Sequence, residues 1–71
     1  MLIMLKEIIY NNTGSDTLED RAINPAQIKD VSPHGDKSSI IEFVDGTRIN
    51  VVGTVSEITK RINTNKKILK G

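Results

Sequence analysis

The sequence predicts an α+β fold: a small antiparallel β-sheet of about four to five strands with one C-terminal α-helix. Three observations predict it. Asp45-Gly46 stands between two runs rich in Ile and Val, a strong short-range hairpin signal. Thr54, Val55, Ser56 and Glu57 spell a capping box, after which Ile58 and Ile62 continue Val55 at helical spacing. The apolar content is mostly Ile, Val and Leu, which suits strands, and Tyr10 and Phe43 are the only aromatics.

In chain order, residues 2–10 read as a first strand, with a short helix as the competing reading. Ile3, Leu5 and Ile9 share one face; Leu2, Met4, Ile8 and Tyr10 share the other. A strand apolar on both sides belongs in the middle of a sheet or at a subunit contact. Residues 11–20 (NNTGSDTLED) are polar and turn-rich, so a loop is expected. Residues 21–24 form a short edge segment. Asn24-Pro25 then gives a cap and a proline at the first helical position, one turn through Gln27. A strand is expected near 28–32, although Ile28 and Val31, three apart, break strict alternation. Residues 33–37 turn into the hairpin.

The hairpin register can be argued. A three-residue loop at 44–46, with Gly46 left-handed, sets Glu42 opposite Arg48, Ile41 opposite Ile49 and Ser39 opposite Val51. Ile41, Phe43, Ile49 and Val51 then share one face. A slip of one residue would set Glu42 against Ile49 and mix the faces. On the second face Glu42 and Arg48 pair, but Ile40, Val44 and Val52 lie there as well. After the hairpin, Gly53 turns the chain into the capped helix. Lys60 and Arg61 suit its last turn, 63–65 end or fray it, and Ile68 and Leu69 either continue it or lie in the basic tail.

The chain has 71 residues and no Cys, so it is read as one domain, 1–64, followed by a basic tail, 65–71. A domain of this size without disulfide or thiolate metal staple is marginal alone, which favours a homo-oligomer. Residues 1–59 carry five Lys and Arg against nine Asp and Glu, whereas 60–71 carry five cations and no acid. The apolar opening at 1–5 is too short for a membrane span or a signal-peptide core, so no membrane insertion and a cytoplasmic location are expected.

Certain of these residues together resemble a family. Ala22-Ile23-Asn24-Pro25, Ile28, Val31, Ile40 to Phe43, Asp45-Gly46, Ile49 to Val52 and the Thr54–Glu57 box with Ile62 look like the small bacterial FlbD/SwrD-type flagellar proteins. Met4-Leu5 and Ile8 followed by Asn11 or Asn12 extend the likeness. It implies a non-catalytic accessory or regulatory protein of the cytoplasm, tied in that family to flagellar motor function. A viral or mobile-element antagonist of a host protein, built on the same scaffold, is an alternative, because fold does not fix function.

The residues themselves argue against an enzyme. His34, the only histidine, could join Asp30 and Asp36 in a weak metal site, but a solvated turn is the plainer reading. One His and no Cys leave no nucleophile triad, and Gly35, Gly46 and Gly53 are isolated turn residues rather than a phosphate cradle. No cofactor is called for. Two surfaces remain. Lys60, Arg61, Lys66, Lys67 and Lys70 could contact phosphates of a nucleic acid, against a plainer reading as a solvated tail without stacking aromatics. Leu2, Met4 and Ile8 with Ile40, Val44 and Val52 form an apolar outer patch, its register set by Glu42 and Arg48. That patch reads as a subunit or protein-partner interface unless Ile68 and Leu69 cover it. Sequestration of a small ligand between subunits is a further alternative.

Overall fold

Alternation around Asp45-Gly46 resolves into a hairpin within a five-stranded antiparallel sheet with one helix on it. The computed structural model describes residues 2–11 and 14–70, with side chains described to residue 64. The elements are β1 (Ile3–Ile9), β2 (Thr17–Ile23), a 3₁₀ turn (Pro25–Gln27), β3 (Ile28–His34), β4 (Ser38–Phe43), β5 (Arg48–Val52) and α1 (Val55–Lys70). In space the strands run β2-β1-β5-β4-β3, so the chain's first strand is interior and β2 and β3 are the edges.

The β4–β5 register is the expected one. Ser39 faces Val51, Ile41 faces Ile49 and Glu42 faces Arg48. Gly46 has φ +90°, and its N–H donates to Phe43 O at 2.9 Å. Asp45 braces the loop by accepting from the Thr47 amide at 3.0 Å and the Thr47 hydroxyl at 2.6 Å. These bonds favour the ionised carboxyl and hold Asp45 below its usual range, the hydroxyl contributing most.

One face of the sheet makes the core. Ile41 and Val51 are fully enclosed with Ile3, Leu5, Ile23 and the helix residue Ile58, and Ile28, Val31, Phe43, Ile49 and Ile62 pack around them. The broken spacing of Ile28 and Val31 has a local cause. The β3–β4 register shifts between Ile28 and Asp30, and the extra residue returns both side chains to the face of Phe43 and Ile41.

Gly53 joins sheet to helix. Its N–H donates to Lys37 O at 2.8 Å, and its carbonyl accepts from the buried Ser39 hydroxyl at 2.7 Å. The capping box closes as read: the Glu57 amide donates to Thr54 Oγ1 at 3.2 Å, and Glu57 Oε1 accepts from the Thr54 amide at 2.9 Å.

Two expectations are corrected. The loop expected over 11–20 holds most of β2, which pairs with β1 across seven consecutive positions, Ile3 with Ile23 through Ile9 with Thr17. Its polar composition concealed it, since an edge strand needs no buried face and all of β2 except Ile23 is exposed. Charges fill that role: Lys6 Nζ meets Asp20 Oδ1 at 2.6 Å, and Arg21 Nη2 meets Glu7 Oε1 at 2.5 Å. The second correction concerns the helix end. The backbone of α1 continues across 63–65 to Lys70. Asn and Thr cost a helix only about 0.5 kcal/mol each, and neither Gly nor Pro intervenes before Lys70.

Candidate interaction surface

Of the eight residues expected to form one outer patch, Met4, Ile8, Ile40, Glu42, Arg48 and Val52 share the sheet face opposite the helix, Leu2 precedes β1 and Val44 begins the hairpin turn. Ile8 and Ile40 are only half-buried there. Tyr10 follows β1 and His34 ends β3, and their rings meet edge-on with centroids 6.2 Å apart. The Tyr10 hydroxyl reaches His34 Nδ1 at 3.5 Å, the limit of a hydrogen bond.

Glu42 and Arg48 also sit on that face, directly opposite each other, with Oε1 and Nε 3.9 Å apart. At that distance and exposure the pair adds register preference rather than much stability. Val52 faces Ser38 at the far end of the same hairpin. Val44 does not join them. It is the first residue of the turn, at the opposite end of the hairpin from Val52, and its N–H donates to Gln27 O at 2.9 Å.

Met4 alternates with the buried Ile3 and Leu5 and so points to the same side of β1 as Ile8, while Leu2 precedes the strand. With Ile3, Leu2 and Met4 line one side of an open groove of about 650 Å³, and α1 supplies the other side through Glu57, Lys60, Arg61 and Thr64. Leu2 is 60% and Met4 52% exposed. The helix side is electrostatically unbalanced for a local reason. Glu57 is three and four residues before Lys60 and Arg61, the spacing at which it could pair with them. Its carboxylate instead turns back to the Thr54 amide, a bond that also holds its pKa below the usual range. Among the described residues neither Lys60 nor Arg61 has an acidic partner within ion-pair distance.

The groove therefore joins an apolar wall from β1 to a cationic wall from α1. Sequence reasoning assigned Leu2 and Met4 to one surface and Lys60 and Arg61 to another. The missing signal was the sheet order, which puts β1 inside the sheet and brings α1 against it. Lys66, Lys67 and Lys70 were expected to extend the cationic set, and Ile68 and Leu69 to cover the patch; their side chains lie outside the described residues.

Other chemistry does not assemble. Among the described residues no three His, Asp or Glu side chains come together as metal ligands, and no helix is long and apolar enough to cross a membrane. His34 stands beside Tyr10, and its carbonyl accepts from the Ser38 hydroxyl. No family model, curated protein or solved structure matches the chain.

Proposed function

We propose that the protein is a non-catalytic interaction module that binds a partner protein in the groove between β1 and α1. The observation that carries this reading is the pairing of exposed Leu2 and Met4 with Lys60 and Arg61, cations left without acidic partners when Glu57 caps its own helix. Large apolar side chains beside unpartnered cations favour a segment carrying Leu, Ile or Phe next to Asp or Glu. The apolar contacts supply affinity, and the charges supply orientation and on-rate. Arg61 adds a planar fork that can hold a carboxylate through two hydrogen bonds. The Asn-Pro turn, Asp-Gly hairpin and capped helix, which carry the resemblance to FlbD/SwrD-type accessory proteins, serve as scaffold for that groove.

Selection from a random peptide display library tests the reading. Wild-type protein should enrich peptides combining acidic and large apolar residues. Met4→Asp and Arg61→Glu should each lose the enrichment while keeping the wild-type circular dichroism spectrum. Enrichment that survives both substitutions, or none with the wild type, contradicts the proposal.

A further inference from the structure

The two edges of the sheet are built differently. β3 is blunted: its register shifts after Ile28, and Pro33 lacks an N–H to offer a neighbouring strand. β2 has neither device. It carries no proline, its ladder with β1 runs seven positions without a shift, and among the described residues no strand lies beyond it. The usual remaining guard is charge, and β2 has Glu19, Asp20 and Arg21 at its centre.

We propose that this edge pairs with the β2 edge of a second copy of the chain, antiparallel about a two-fold axis at Asp20, joining two five-stranded sheets into one. The charge order selects that register. Asp20 is the midpoint of Thr17–Ile23, so the axis matches every residue of the strand with one of the second copy. Glu19 then falls opposite the second copy's Arg21, and the same contact recurs on the other side of the axis. Leu18, 55% exposed in the single chain, falls opposite the second copy's Ala22. The two Asp20 carboxylates meet at the axis, each already held by its own Lys6 at 2.6 Å. Moving the axis to Glu19 or to Arg21 would likewise oppose one like-charged pair, would lose both Glu19–Arg21 contacts and would leave one strand end unpaired. Charges that repel a foreign or slipped strand thus admit the chain's own copy in one register.

The axis stands perpendicular to the sheet, because residues opposite each other in an antiparallel ladder share a face. Both helices therefore cover the same side, and the exposed Leu18 side chains extend the opposite side across the junction. The dimer does not depend on the groove between β1 and α1, and the two proposals fail separately.

Sedimentation equilibrium over a concentration series up to millimolar tests the dimer. The wild-type chain of 7.9 kDa should reach twice that mass. Glu19→Arg sets Arg against Arg21 twice per dimer, while placing a cation opposite Glu7 within its own sheet, so the fold is kept. Its association should weaken at least tenfold. E19R/R21E restores opposite charges across the axis and should restore association. Amide exchange supplies an independent reading: protection at residues 17–23 should rise with protein concentration in the wild type and not in E19R. A wild type that remains at 7.9 kDa throughout, an E19R variant that associates like wild type, or concentration-dependent protection confined to other strands overturns the proposal.

Discussion

Replacing Gly53 by alanine probes the joint on which the helix is set. Gly53 has φ +123°, and a Cβ built there would stand 3.0 Å from Ile58 Cδ1 and 3.6 Å from its Cγ1. The backbone conformation alone costs an L-residue about 1–2 kcal/mol. The contact adds more, because Ile58 is 1% exposed and its side chain has no open space into which to swing. Overpacking of this kind costs about 1–3 kcal/mol, so a total near 3 kcal/mol is expected. For a domain of this length that corresponds to a fall in Tm of roughly 12–24 °C. Gly46→Ala is the matched control, with φ +90° and nothing within 4 Å of the new methyl group, so it meets only the backbone term. Urea unfolding followed by circular dichroism measures both variants. The reasoning predicts that Gly53→Ala loses more than Gly46→Ala by about 1–3 kcal/mol. Equal losses would refute the claim that Ile58 is pinned against the strand–helix joint.

Further outcomes follow from the same geometry. Thr54→Ala removes the hydroxyl that accepts the Glu57 amide and should lower stability by about 1 kcal/mol in the same urea assay. Ile41→Ala opens a cavity beneath a fully enclosed side chain and should cost about 2–5 kcal/mol, whereas Ile41→Val should cost about 0.5–1.5 kcal/mol. The folded-state pKa values of Glu57 and Asp45 lie below their unfolded values, so the stability they contribute is complete above the unfolded values. It is lost as pH falls through the carboxylate range and below. Glu57→Gln with Asp45→Asn should therefore flatten the acid limb of a plot of Tm against pH; an unchanged slope contradicts the roles given to the cap and the turn.

The hairpin was legible in the sequence because two independent signals agreed there. The Asp45-Gly46 turn fixed the loop, and the pairing of Ile with Ile and Glu with Arg chose the register. The capping box was legible for a similar reason, since the types and spacing of Thr54 and Glu57 leave one geometry that satisfies both. β2 was not legible. TLEDRAI buries only Ile23, and an edge strand held by cross-strand charges has no apolar alternation to show. Its partners, Lys6 and Glu7, were in view, but nothing local tied them to Asp20 and Arg21 across the intervening chain. The β1–α1 groove was legible in its residues and not in its grouping. Exposed Leu2 and Met4, and the cations Lys60 and Arg61, were each singled out, yet which of them meet depends on β1 lying inside the sheet.

The claim that the β1–α1 groove binds a protein segment is tested most directly by amide chemical-shift mapping. ¹⁵N-labelled protein is titrated with a selected peptide that places Glu beside Leu. Saturable shifts centred on residues 2–4 and 57–64, weakened by salt and absent in Arg61→Glu, are expected. Shifts centred on Val52 and Ile40, or none at millimolar peptide, would contradict it.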